Sequence, residues 1–337
     1  MKRCSKCIMP DTAKGVTFDE NGLCTLCREH KDYTPKGHDA LCNEITGFID
    51  TEAEFNCIVP ISGGRDSSYA LYYVKKILNL KPIAVHSDND FETTAAKKNL
   101  ETITRTMDVP LIRVGSKTNV LKKIVSEKFK INAPYGPGLV VDQTCEACKY
   151  GFESATYNTA RSKKIKVIFW GDSVDENTTS YHKLVKHVKP TKFQRLMDPS
   201  VVNYVKYKYY FNVLKKEYGP DSPTGLKEIH LFDYVLWDPK IIEDTIQGEM
   251  GWSIPEGSAT TWRTDCELVP VVNYMTKLEY GVSKIELGFS NMVRSGKMDR
   301  EEAIKKVNQI DNETNINALK DFLIKMNISK STIDKVL

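Results

Sequence analysis

The chain has 337 residues, of which 41% are hydrophobic and 27% charged, the composition of a globular protein with room for two or three units and one sizeable core. A net charge of +4, with lysines scattered among acids, does not make the strong basic face of a nucleic-acid binder. No apolar run reaches membrane-spanning length, and the charged Met-Lys-Arg-Cys start is not a secretion signal, so a cytoplasmic protein without membrane contact is expected. Nine cysteines in a reducing compartment point to metal or catalysis rather than disulfides.

In chain order, residues 1–50 hold Cys4-x-x-Cys7 and Cys24-x-x-Cys27, sixteen residues apart. This is the spacing of a four-cysteine zinc knuckle, in which two turns aim four thiolates at one tetrahedral ion. The stretch between them is turn-rich and too small for a core, and bound Zn2+ would replace that core. Four ligands fill the tetrahedron, so the expected role is structural. Cys42 and Cys57 lack a paired partner and are expected to be packed, inert thiols.

Residues 51–285 are expected to form an α/β nucleotide domain. Phe55–Ile61 is apolar and predicts a buried strand; Ser62-Gly-Gly-Arg-Asp-Ser-Ser68 predicts a turn; Tyr69–Ile77 has helical composition, with Ser67 or Ser68 as N-cap. Such a turn aims backbone N–H groups and the positive end of a helix at one anion. It lacks the lysine of a Walker loop and the spacing of GxGxxG. Ser62 to Ser67 resembles instead the SGGxDS pyrophosphate loop of N-type ATP pyrophosphatases. Arg65 is a candidate for phosphate oxygens, and Asp66 for orienting the loop or Mg2+.

Residues 81–87, 109–114 and 164–170 predict further strands, alternating with helices over 93–107 and 120–129. This pattern makes a doubly wound parallel sheet whose ligands sit at the carboxyl ends of the strands. The loop, the Asp88–Asp90 turn and Gly171-Asp172-Ser-Val-Asp175 then share one rim. Asp172 and Asp175 are candidates for nucleotide or Mg2+, or serve as helix-capping acids.

Cys145 and Cys148 stand one helical turn apart, with Cys266 distant in sequence. Three such thiols can hold a 4Fe–4S cluster, bind a metal, handle sulfur, or pack in a core. The lysines and tyrosines of 181–230 fit the edge of a core, or a surface that stacks on sugars. Residues 229–238 predict a strand and 239–250 a helix. From Ser283 onward the chain reads as helical, broken at Gly288 and Gly296, with Asp299 capping the next helix. Residues 286–337 form the expected C-terminal helical region.

Taken together, Cys4-x-x-Cys7-Ile-Met-Pro-Asp-Thr12, Cys24-x-x-Cys27, Ser62–Ser67, Leu231-Phe-Asp-Tyr-Val235, Gly251-Trp252, Trp262-Arg-Thr-Asp265 and Ser290-Asn-Met-Val-Arg-Ser-Gly296 resemble the N-acetyl sugar amidotransferases of bacterial surface-polysaccharide and nonulosonic acid biosynthesis. The resemblance implies an adenine nucleotide alpha hydrolase-like PP-loop domain that uses ATP and Mg2+. It implies catalytic roles for Ser62, Asp66 and Ser67, and nucleotide contacts from Ser62, Gly63, Gly64, Arg65, Asp66, Ser67, Ser68, Asp88, Gly171, Asp172 and Asp175. The implied reaction adenylates an acetamido oxygen and replaces it with nitrogen. No glutaminase domain fits in the chain, so ammonia would come from a separate glutaminase subunit or from solution; the resemblance leaves room for a homo-oligomer. Two rival readings stand beside it. One is sulfur transfer through Cys145, Cys148 and Cys266, although tRNA is not the partner the modest charge favours. The other is a zinc-knuckle binding module with an inactive ATP site.

Overall fold

A computed structural model of the chain describes residues 2–115, 119–135, 137, 145–173, 201–218, 225–258, 260–335 and 337. Its centre is a parallel five-stranded sheet of β1 (Cys57–Pro60), β2 (Pro82–Asp88), β3 (Leu111–Gly115), β4 (Val167–Trp170) and β5 (Lys227–His230), in the order β3-β2-β1-β4-β5. Successive residues of β1 serve opposite faces, as the two-residue period of a strand requires. Cys57 and Val59 join one buried cluster and Ile58 the other. A sheet buried on both faces is what near-continuous apolar strands demand.

Before the sheet come α1 (Thr25–Arg28) and α2 (His38–Ile45). On the Val59 face pack α3 (Arg65–Tyr72), which continues as a π-helical turn over Tyr73–Ile77, and α4 (Thr94–Thr106). The other face carries α5 (Val120–Asn132), α6 (Glu146–Lys163) and α7 (Val201–Tyr218). After β5 follow α8 (Pro239–Met250), α9 (Val269–Tyr280), α10 (Lys284–Arg294), α11 (Arg300–Glu313), α12 (Ile316–Lys325) and α13 (Lys330–Ile333). Helix α8 returns to the Val59 face through Ile242, Ile246 and Met250.

The chain leaves β1 towards β2 and β3, then comes back to β4 on the opposite side. The carboxyl end of β1 therefore opens at a topological switch point, where doubly wound sheets bind ligands. Among the described residues, no helix is long and apolar enough to cross a membrane.

Four local expectations are corrected. Helix α3 begins at Arg65 with Gly64 as its N-cap, so Ser67 and Ser68 lie inside its first turn; their hydroxyls bond back to the Gly64 carbonyl rather than cap. The strand expected over 229–238 is β5, ending at His230, because Leu231–Asp233 turns into a 3-10 helix that buries Leu231 and Phe232. Gly288 does not break a helix: it lies inside α10, packed against the Trp262 indole. Cys42 is half-exposed beside the His38 ring, 3.4 Å from Nε2, and only Cys57 is fully packed. The expected cap Asp299 accepts a first-turn N–H bond, and Asp238 does the same at the start of α8. Tyr204, Tyr207 and Tyr210 of α7 lie on or against the second core, as an edge of tyrosines should, while Tyr209 faces out.

Candidate nucleotide site and cysteine metal centre

Residues 62–67 form a closed hydrogen-bonded loop. The Ser67 hydroxyl accepts from the Ser62 N–H at 3.2 Å and lies 3.2 Å from the Ser62 hydroxyl, which accepts from the Gly64 N–H at 3.2 Å. Gly63 has φ +79°, and a Cβ there would lie 2.4 Å from the Ala96 carbonyl oxygen in α4. Gly171, after β4, touches the loop from the other side: a Cβ would lie 2.9 Å from the Asp66 carbonyl oxygen and from the Ser67 Cα. The loop is thus wedged between α4 and the end of β4, with no room for a side chain at Gly63 or Gly171. Trp252, buried just after α8, donates its indole N–H to the Gly63 carbonyl at 2.9 Å. Gly251 makes this reachable by ending α8 in the left-handed region, at φ +69°.

Arg65 is held by its neighbours. Its Nε and Nη2 donate to the two Asp66 carboxylate oxygens at 2.7 and 3.2 Å. Its Nη1 donates to the Thr261 hydroxyl at 3.2 Å, and the guanidinium sits 5.1 Å from the Trp237 ring centre. Asp88 and Asp172 line the rim. The Asp88 carboxylate accepts from the Asp90 N–H at 3.0 Å. Asp172 accepts from His230 Nδ1 at 2.7 Å, joining the ends of β4 and β5. Burial works against ionisation of Asp172, yet the hydrogen bond and charge of His230 hold its carboxyl below the ordinary range. The same bond raises His230. Asp175 lies outside the described residues.

Two further groups at the site are placed there by the fold. The Asp265 carboxylate reaches the loop, with one oxygen 3.2 Å from where a Gly64 Cβ would stand, next to the Ser62 hydroxyl. Buried His86 donates Nδ1–H to the Ile61 carbonyl at 2.8 Å, and its Nε2 meets the Glu92 carboxylate. This pair fixes the strand end that launches the loop.

At the N-terminus, Cys4, Cys7, Cys24 and Cys27 are all buried, with their sulfurs within 4.8 Å of one another. The Cys4–Cys27 and Cys7–Cys24 sulfurs are each 3.7 Å apart. A tetrahedral Zn2+ with bonds of about 2.3 Å requires sulfurs about 3.8 Å apart, so the residues fit a tetrathiolate metal. The Cys24 and Met9 N–H groups point at the Cys4 and Cys7 sulfurs, at 3.3 and 3.5 Å. Hydrogen bonds from Cys24 and Cys7 push the Cys27 thiol towards thiolate, and the Arg294 charge adds to them.

With this geometry in place, comparison with known proteins places the end of the chain. Residues 256–337 match the family model described as LPS biosynthesis protein WbpG-like, C-terminal domain. The C-terminal region is WbpG-like. Two of the motifs that carried the resemblance, 262–265 and 290–296, lie inside it, and the match supports that family. An uncharacterized protein of Methanocaldococcus jannaschii is 26% identical over 115 residues, which are 33% of this chain and 41% of that protein. A solved structure, the U34-tRNA thiolase NcsA from Methanococcus maripaludis with its 4Fe–4S cluster, aligns over 89% of this chain and 90% of its own at 12% identity and a TM-score of 0.35.

The WbpG-like segment reaches both candidate sites. Asp265 meets the loop. Thr264 accepts at its carbonyl from the Thr93 hydroxyl that caps α4, at 2.8 Å. From α10, Arg294 reaches the Cys7 sulfur at 3.6 Å, and Arg300 donates to the Cys4 and Cys7 carbonyls at 3.1 and 3.3 Å. Cys266 bridges to Glu92 beside β2. Burial, first of all, and then the proximity of Cys145 and Cys266 raise the Cys148 thiol, with Asp90 adding to them, which puts the three cysteines and Asp90 in one neighbourhood. Cys145 is exposed, whereas Cys148 and Cys266 pack against the core of α9 and α12. Among the described residues, the four N-terminal cysteines are the group close enough to hold a single ion.

Proposed function

We propose that this chain is an ATP-dependent amidotransferase that acts on an N-acetylated sugar. The observation that carries the reading is the hydrogen-bonded loop at Ser62–Ser67, packed so closely at Gly63 and by Gly171 that no Cβ fits there, at the switch point of a parallel sheet. Backbone N–H groups there, with the N-terminus of α3 behind them, suit the β and γ phosphates of ATP. Ser62 and Ser67 would add hydroxyl donors, and Asp66 would hold Arg65 so that the first turn of α3 keeps its shape. Asp88, Asp172 and Asp265 are the rim carboxylates that would hold Mg2+, which supplies charge neutralisation to the phosphates.

In this reading the acetamido oxygen attacks the α-phosphorus and pyrophosphate leaves into the loop. Ammonia then adds to the activated carbon and loses a proton. AMP departs with the former acetamido oxygen, and an acetamidino group remains. Fixed donors at the departing phosphates and a held nucleophile are what such chemistry needs. Ammonia from a separate glutaminase subunit or from solution would serve. The test uses N-acetylated amino sugars whose acetamido oxygen is isotopically labelled, with ATP, Mg2+ and ammonium. The label must appear in AMP, in step with pyrophosphate; sugar-independent AMP release, or unlabelled AMP, refutes the reading.

One observation favours a second reading. Cys145, Cys148 and Cys266 gather at the same rim, beside Asp90, where they would suit a 4Fe–4S cluster and sulfur transfer. Metal and sulfide analysis of anaerobically purified protein separates the two: zinc alone supports the amidotransferase, and iron with inorganic sulfide supports sulfur transfer.

A further inference from the structure

Four thiolates around one divalent ion carry a net charge of about −2, and a buried net charge is costly unless an opposite charge lies against it. Here the four sulfurs are buried, and the Met9 and Cys24 N–H groups of the knuckle point at two of them. Arg294 supplies the opposite charge. It is 5% exposed, its Nη2 lies 3.6 Å from the Cys7 sulfur, and its Nε is buried without a hydrogen-bond partner. Its Nη1 donates to the Asn291 Oδ1, a neutral acceptor that leaves the charge to be answered by the thiolates. Its carrier, α10, also holds Gly288 against the Trp262 indole at 3.5 Å from the site of a Cβ, and Trp262 opens the segment that ends on the loop at Asp265.

We propose that Arg294 is the counter-charge of the cysteine metal centre, so that the bound metal fastens the WbpG-like helix α10 as well as the N-terminal knuckle. The inference does not depend on the reaction the enzyme catalyses. It carries a consequence that simple packing does not. Without metal the four sulfurs are no longer held as one charged centre, and Arg294 is left a buried cation without it. Metal removal then costs the wild-type protein more than it costs a variant lacking that cation.

The experiment uses the zinc-loaded full chain and two readouts, zinc transfer to a chromophoric chelator and thermal unfolding before and after chelation. Arg294→Met is expected to release zinc about 10–100-fold faster, the usual effect of removing a partner that supports metal ligands. Its fall in melting temperature on chelation is expected to be smaller than that of the wild type. Arg300→Met, which loses contacts to carbonyls rather than to sulfur, is expected to change release less. Wild-type release from Arg294→Met, an undiminished fall on chelation, or an equal effect from Arg300→Met overturns the proposal. If Arg294→Met does not fold, Arg294→Lys and Arg294→Gln decide it: the charged variant must retain zinc longer than the neutral one, and equal rates overturn it.

Discussion

Alanine substitutions at three glycines separate the two reasons why the loop excludes side chains. Gly296 has φ +70° and nothing within 4 Å of a Cβ, so Gly296→Ala measures backbone strain alone, about 1–2 kcal/mol. Gly171 needs no positive φ, but its Cβ would lie 2.9 Å from two backbone atoms of the loop. Neither atom can swing aside as a side chain would, so Gly171→Ala should cost about 1–3 kcal/mol in overpacking. Gly63 combines φ +79° with an approach of 2.4 Å to the Ala96 carbonyl oxygen, and the two terms sum to roughly 2–5 kcal/mol. Urea unfolding of the three variants gives the stabilities, and titration with a fluorescent ATP analogue gives the loop's competence. Gly63→Ala should be the least stable, and both Gly63→Ala and Gly171→Ala should lose nucleotide affinity while Gly296→Ala keeps it. A Gly63→Ala variant no less stable than Gly296→Ala, with nucleotide binding intact, would refute the close approach to α4.

Trp252→Phe removes the indole bond to the Gly63 carbonyl and should cost about 0.5–1.5 kcal/mol, read by urea unfolding, with weaker nucleotide binding. The Asp172–His230 bond sets a pH window. His230, raised above 6.5, contributes fully below that value and loses its contribution as pH rises through its folded pKa. Asp172, lowered from 3.8, contributes above that value and loses its contribution as pH falls through its folded pKa. The pair therefore stabilises most between about 3.8 and 6.5, by less than about 1 kcal/mol because both side chains are substantially exposed. In Asp172→Asn the His230 ring, followed by NMR, should titrate closer to 6.5; an unchanged titration would contradict the contact. Burial pushes the Cys266 thiol up to about 12 and raises Cys148 as well. Iodoacetamide at neutral pH should then label exposed Cys145 well before either, as peptide mass spectrometry would show. Equal labelling would contradict the packing of Cys148 and Cys266.

Much of the site was legible in the sequence because its constraints are local. Two adjacent glycines after an apolar strand announce a turn that meets something closely, and CxxC pairs announce sulfurs that converge. The start of α3 was misjudged by a few residues because serine is a good cap, whereas here Ser67 and Ser68 bond back to Gly64 from inside the first turn. The strand after His230 was overrun because Leu231 and Phe232 are as apolar in a 3-10 turn as in a strand; periodicity cannot separate the two over so short a run. Asp265, His86 and Arg294 were not legible as functional residues. Each acts across a sequence distance that no local pattern spans: His86 on Ile61, Asp265 on Gly64, Arg294 on Cys7.

That distribution says how the chain divides its labour. The glycines and serines of 62–67 give the loop its shape and bond it to itself, but those bonds do not tie it to the rest of the chain. The holding is done from outside. Trp252 takes the Gly63 carbonyl, the His86–Glu92 pair takes the Ile61 carbonyl, and Arg65 is anchored by Asp66 and Thr261. Trp252 and Thr261 lie on either side of residue 256, where the WbpG-like match begins. Residues 261–265 therefore reach the candidate nucleotide site, and residues 294–300 neighbour the knuckle. Removing residues from 256 onward would strip the loop of Asp265 and Thr261 and strip the cysteine centre of Arg294 and Arg300 in one step. The chain so shortened should lose both nucleotide binding and metal retention, whereas an independent accessory domain would leave both intact.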